Sequence, residues 1–264
     1  MVVAITAGQA QPRQRYDRAR LSSYSNGSLS SLEYSALTLD GGSQLKIISP
    51  ERWAHVSSFI SSALKETYNQ YASSFGDIPP FASAVRLMDE DTFFLITRAP
   101  RWTNAMFFKG EIYIPLSFSS GVDYDNIRRS VKHEFTHAII HALSDGRCPG
   151  WLDEGLAQMA EGDENPALRP AIVNWLSDNP PVALSLLQGG FTKLDSEMVA
   201  PAYAESLFAA NTIVNTFGYQ ALRAYFDNLR NEDDSEGAFH TAFGLSSKNF
   251  EARMGQALQQ WKQQ

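Results

Sequence analysis

The heptapeptide Val131-Lys132-His133-Glu134-Phe135-Thr136-His137 constrains this chain more than any other stretch. Its histidines are four residues apart, within a run whose apolar spacing predicts a helix from about Tyr124 to Ser144. Ile127, Val131, Phe135, Ala138 and Ile139 form the buried side of that helix, and Asp123 or Asp125 can cap its start. Residues four apart on a helix lie one turn apart on the same face. His133 and His137 can therefore aim two imidazoles at one metal ion. Glu134 projects beside them, placed to hold and deprotonate a water.

This His-Glu-x-x-His pattern is the zinc metalloprotease signature. Chance alone produces it in roughly one chain in two hundred of this length and histidine content, so the flanking sequence has to decide. After His137 the helix needs about two more turns to finish. Asp145-Gly146 supplies a stop, and Cys148-Pro149-Gly150 forbids continuation. A returning helix then starts near Trp151, spans Leu152 to Ala160 and ends at Gly162. Two histidines and one carboxylate would suit zinc or non-heme iron equally.

The segment Pro149-Gly150-Trp151-Leu152-Asp153-Glu154-Gly155-Leu156-Ala157 narrows the choice. His-Glu-x-x-His followed by Trp-Leu-x-Glu-Gly-x-Ala resembles the gluzincin clan of zinc peptidases. It is similar to peptidase-MA-like domains in particular and, at this segment, to aminopeptidase-type gluzincins. The resemblance implies that Glu154 is the third protein ligand and that the metal is Zn2+. It also implies hydrolysis of peptide bonds in a peptide or protein substrate, with Glu134 as general base toward a metal-activated water. The implied fold is α+β and zincin-like: a small mixed or antiparallel sheet with N-terminal helices, then a mostly helical C-terminal subdomain. The subdomains run about 31–147 and 148–262 within one catalytic domain, with the metal site in the cleft between them. A catalytically silent zincin-fold binding or structural module is the alternative, and an intact Glu134 weighs against it.

Gluzincins place a Tyr or His donor opposite the catalytic Glu, and the resemblance implies this oxyanion-stabilising role for Tyr203. The competing reading of Tyr203 is a buried aromatic. His240 sits too far along the tail to share the argument. The strand before the metal helix borders the cleft in gluzincins, which implies a substrate-pairing edge near 104–108 or 111–116; ordinary sheet is the other reading. Aminopeptidase-type members carry Gly-x-Met-Glu-Asn there, whose Glu grips a free amine. This chain has Asn104-Ala105-Met106-Phe107-Phe108, so aminopeptidase specificity is not expected.

Neighbouring titratable residues need separate weighing. His141 continues the four-residue series but lies about 12 Å beyond His133, too far for one zinc to reach both. Asp153 can orient a histidine or simply be an acid favoured in a helix first turn. Glu161, seven residues past Glu154, reads as a solvated helix end. Cys148 is the only cysteine, so no internal disulfide forms, and no thiol-activating base adjoins it in sequence.

Elsewhere the pattern predicts a hairpin (Leu32–Leu39 with Gln44–Ile48) and an amphipathic helix over Glu51–Ser74 carrying a surface His55. Strands follow at Ala82–Met88, Asn104–Lys109 and Glu111–Leu116, with a short element at Asp91–Thr97. Helices are expected at Ala167–Ser177, Val182–Leu187, Ala202–Thr216, Tyr219–Leu229, Glu236–Phe243 and Ser247–Trp261. Residues 1–30 read as peripheral. Met1–Ala10 is apolar and its end resembles a signal-peptide end, although no basic segment precedes it, which leans toward export. No run of 18 apolar residues occurs, so no membrane span is predicted. A formal charge of −7 gives no electrostatic case for nucleic acid or anionic lipid as partner.

Overall fold

The computed structural model describes residues 31–262 apart from 102, 118–121, 163–167, 192–193 and 232–233. The expectations for residues 1–30 and for a helix start at Ala167 fall outside the described residues.

Five strands form one mixed sheet in the order β1-β2-β3-β5-β4. β1 (Leu32–Thr38) and β2 (Gln44–Pro50) make the antiparallel hairpin, joined through a 3-10 turn at Asp40–Gly42. β2 then pairs in parallel with β3 (Ala82–Asp89), and a parallel pair needs a crossover. A 3-10 turn at Glu51–Val56 and helix α1 (Ser57–Phe75) supply it, in place of one helix from Glu51. The short element expected at Asp91–Thr97 is helix α2 (Glu90–Thr97). β4 (Met106–Phe108) and β5 (Glu111–Leu116) are antiparallel across Lys109-Gly110, both at positive φ, as a two-residue hairpin turn requires. β5 also pairs in parallel with β3, so it lies inside the sheet and β4 forms its edge.

Alternation along the strands divides the core. Leu45, Ile47, Val85, Ile112 and Ile114 join α1 and the next helix in the main cluster. Met88, Met106 and Tyr113 join Phe93 of α2 in a smaller one. That next helix, α3 (Tyr124–Ser144), is capped by Asp123, whose side chain accepts from the Asn126 N–H. It stops at Asp145, in left-handed conformation, where the Gly146 N–H returns to the His141 carbonyl. α4 (Gly150–Glu161) turns straight back and packs on α3.

Four further helices follow among the described residues: α5 (Leu168–Asp178), α6 (Ser196–Asn231), α7 (Ser235–Phe243) and α8 (Ser247–Lys262). α6 begins well before the expected Ala202, carries Pro201 within it, and bends at Gly218 (φ 78°), where the sequence predicts two helices. Its approach to α4 is set by Gly155. A Cβ there would lie 2.3 Å from the Ser206 carbonyl oxygen and 2.6 Å from the Ala210 Cβ, so only glycine lets the two helices meet this closely. The helix expected over Val182–Leu187 shrinks to a 3-10 turn at Leu184–Leu187. Two carboxylates take its backbone donors: Glu205 accepts from the Val182 N–H at 2.7 Å and Glu251 from the Leu184 N–H at 2.7 Å. Among the described residues no helix is long and apolar enough to cross a membrane.

Candidate metal centre

α3 presents His133 and His137 one turn apart, with ring centroids separated by 4.9 Å. The first turns of α4 bring Glu154 against them. One ligand atom from each of His133, His137 and Glu154 lies within 4.8 Å of the others, and all three residues are buried. Glu154 Oε2 is 3.5 Å from His133 Nε2 and 3.9 Å from His137 Nε2. Tetrahedral zinc with bonds near 2 Å would hold such atoms about 3.3 Å apart, a small contraction from this arrangement.

The donor chemistry fits a cation. Neither His Nε2 makes a hydrogen bond, which is a costly state for a buried polar atom unless something else occupies it. Both Nδ1 atoms face carboxylates: His133 is hydrogen-bonded to Glu161 Oε1 at 2.8 Å, and His137 lies 2.9 Å from Asp153 Oδ1, at ion-pair distance without hydrogen-bond alignment. A carboxylate at Nδ1 keeps the proton there and leaves the Nε2 lone pair for a metal. Burial opposes charge on both rings. Around His133 the facing carboxylates of Glu154 and Glu161 win, holding its pKa well above the ordinary value. Asp153 and Glu154 likewise raise His137. Buried negative charge here demands a positive partner.

Glu161 is therefore not the solvated helix end that its position suggests. Seven residues are almost two helical turns, so Glu161 returns to the face of α4 that carries Glu154. That spacing is the signal by which it could have been found. Asp153 combines both of its readings, an acid in the first turn of α4 that also touches a histidine. Changing Glu161 to Gln is expected to weaken zinc binding about 10- to 100-fold with the fold intact, since second-layer carboxylates of this kind contribute on that scale. Competition titration with a chromophoric chelator measures it, and an unchanged affinity removes Glu161 from the site.

Glu134 is fully buried beside the histidines. Its Oε2 accepts the Phe107 N–H at 2.5 Å, and its Oε1 has no hydrogen-bond partner among the described residues. Burial pushes its carboxyl up to about 7, against the lowering influence of His133 and His137. Phe107 belongs to the edge strand, whereas 111–116 forms an interior strand. β5 has partners on both sides. Phe107 also stands where an aminopeptidase-type Glu would be sought.

Tyr203 is buried, with its ring against Phe191 at 4.9 Å. Burial raises its phenol well above the usual range, and the charges of Glu154, Glu134 and Glu161 add to this, so the hydroxyl lies within their electrostatic reach. Gln158 fixes the α4–α6 junction by donating to the backbone carbonyl oxygens of Glu154 and Tyr203. His141 lies off the cluster, its ring 6.4 Å from Phe107, and His240 is exposed on α7. Cys148 is half-buried, donates to the Pro149 carbonyl, and burial holds its thiol well above the ordinary pKa, so it is not a thiolate nucleophile.

The Peptidase MA superfamily model matches residues 96–260. Aminopeptidase A from Legionella pneumophila, in complex with aspartic acid, superposes with a TM-score of 0.52 at 16% identity over 83% of this chain and 27% of its own. The M1 zinc metallopeptidase from Deinococcus radiodurans superposes with a TM-score of 0.48 at 18% identity over 87% of this chain and 51% of its own. The chain thus spans between about a quarter and a half of the length of these structures. No curated protein matches it in sequence.

Proposed function

Starting from the chain's membership of the Peptidase MA superfamily, we propose that it is a zinc-dependent peptidase with Glu134 as its general base. The observation that carries this reading is the buried meeting of His133, His137 and Glu154, with the Glu134 carboxylate alongside. Bound there, zinc supplies a Lewis acid that polarises a scissile carbonyl and acidifies water.

The chain's own residues supply the rest. His133, His137 and Glu154 hold the cation, while Glu161 and Asp153 fix the two imidazoles in the ligating tautomer. Glu134 Oε2 is tethered to the Phe107 N–H, which leaves Oε1 to accept the proton of the attacking water. Glu134, buried beside the histidines, can take that proton and return it to the leaving amine. Tyr203, buried on α6, would donate its hydroxyl to the oxyanion.

The test measures zinc in the purified protein together with turnover on a mixed peptide library. About one zinc per chain is expected, as three protein ligands require, with cleavage that stops on chelation and returns with added zinc. Zinc without cleavage of any peptide supports a silent zincin-fold module instead. Cleavage indifferent to chelation overturns the proposal.

A further inference from the structure

Residues 182–191 lie between α5 and α6 in the chain, and three sets of contacts hold them. At their start, Glu205 Oε2 of α6 accepts the Val182 N–H at 2.7 Å and Glu251 Oε1 of α8 accepts the Leu184 N–H at 2.7 Å. In the middle, the Gly150 N–H, at the first residue of α4, donates to the Gln188 carbonyl oxygen at 2.9 Å. The fit there is tight: a Cβ on Gly150 would lie 2.4 Å from the Gly189 carbonyl oxygen and 2.9 Å from that of Leu187. At their end, the Phe191 ring packs edge-on against Tyr203, with centroids 4.9 Å apart, and both residues are buried.

Glu205 and Tyr203 are two residues apart on α6, so their side chains leave the helix about 200° apart. The chain from Val182 to Phe191 therefore passes from one side of α6 to the other. It forms a strap around that helix, fastened by Glu205 at one end and resting on the Tyr203 ring at the other. The middle of the strap bears on α4, the helix that carries Glu154, and Gln158 of α4 donates to the Tyr203 carbonyl oxygen. Ring and backbone of Tyr203 are thus held by parts that Glu205 helps to fix.

For packing alone, Glu205 is a costly choice. It is buried, and its Oε1 has no hydrogen-bond partner among the described residues. An apolar side chain of similar volume would avoid that cost. Such a side chain could not accept the Val182 N–H, the first backbone donor after Pro180-Pro181. Burial pushes the Glu205 carboxyl up to about 8, against the lowering effect of the Val182 N–H, and the charge of Glu251 adds to the rise. Glutamine resembles the uncharged acid, with an oxygen for the Val182 N–H and no charge.

We propose that Glu205 is a positioning residue for the Tyr203 hydroxyl: it fastens the strap of residues 182–191 to α6, and the strap holds the Tyr203 ring through Phe191. This rests on the zinc-peptidase reading above.

The experiment measures kcat, KM and bound zinc for Glu205→Gln and Glu205→Met, each with Tyr203 and with Tyr203→Phe, on a library peptide that wild type cleaves. Glu205→Gln should stay within about twofold of wild type, because its amide oxygen still accepts the Val182 N–H. Glu205→Met keeps the volume and removes the acceptor. It should lower kcat about tenfold, short of the roughly 10²-fold expected for deleting the hydroxyl itself, with KM and zinc content unchanged. With Tyr203→Phe already in place, Glu205→Met should lower kcat by less than about twofold more, since residues acting as one unit are not additive. Phe191→Leu loosens the other end of the strap and should show the same dependence on the Tyr203 hydroxyl; it carries the test if Glu205→Met does not fold. The positioning role is overturned, with the peptidase reading left standing, by a kcat loss of equal size with and without that hydroxyl, by no loss in the folded variants, or by Glu205→Gln as slow as Glu205→Met. If wild type cleaves no peptide, the peptidase reading falls and this role falls with it.

Discussion

Alanine in place of His133, His137 or Glu154 should take the protein from about one zinc per chain to almost none under mild competition by a chelator. Each change removes one of three protein ligands from a site where tetrahedral zinc normally has three or four. The loss is compounded by burial. With Glu154 gone, two imidazoles face each other without the carboxylate that balances a cation between them. With either histidine gone, Glu154 and the facing acid, Glu161 or Asp153, lose the group they are arranged around. His141→Ala is the internal control, since its ring packs toward Phe107 and away from the cluster. Elemental analysis gives the stoichiometry. Thermal unfolding gives an independent reading, because a metal that binds only the folded state raises its stability by mass action. Zinc should therefore raise Tm in wild type and His141→Ala and leave the three ligand variants unmoved. Full zinc in Glu154→Ala would remove Glu154 from the metal's ligands.

The parts of this architecture that are legible in the sequence are those written locally. α3 announces itself through apolar spacing, a capping acid and the Asp145-Gly146 stop, so its boundaries agree with the expected ones. The approach of Glu154 to the histidines follows from a short loop between two helices that cannot run on through Pro149-Gly150. What escapes the sequence depends on partners far along the chain. That β5 is interior and β4 the edge follows from a parallel pairing with β3, more than twenty residues away, which no spacing within 104–116 reveals. Val182–Leu187 has helical composition but loses its backbone donors to Glu205 and Glu251, which come from other helices. Pro201 argues for a later start to α6, yet the helix encloses it in its second turn. Glu161 lies between these cases: its seven-residue spacing is readable, but its partner is not.

The sharpest separation between an enzyme and a silent binding module comes from Glu134→Gln, which should keep zinc and fold while losing hydrolysis by about 10²- to 10⁴-fold, the range of a positioned general base. The amide has nearly the shape of the carboxylate. Its oxygen can still accept the Phe107 N–H, so the tether to β4 survives and the side chain stays in place. The metal cluster is formed by other residues, so its occupancy should not change. What disappears is proton affinity: an amide cannot take a proton near neutral pH, whereas burial has brought this carboxyl to about 7. Tyr203→Phe makes the graded comparison. It keeps the ring packed on Phe191 and removes only the hydroxyl, so a loss of roughly 10²-fold in kcat is expected if that group stabilises the oxyanion. Wild type and both variants are assayed together on a mixed peptide library, with zinc measured in each. Equal cleavage by wild type and Glu134→Gln would mean that another residue, or a contaminating protease, removes the proton. A Tyr203→Phe variant as active as wild type would leave Tyr203 as a core aromatic and nothing more.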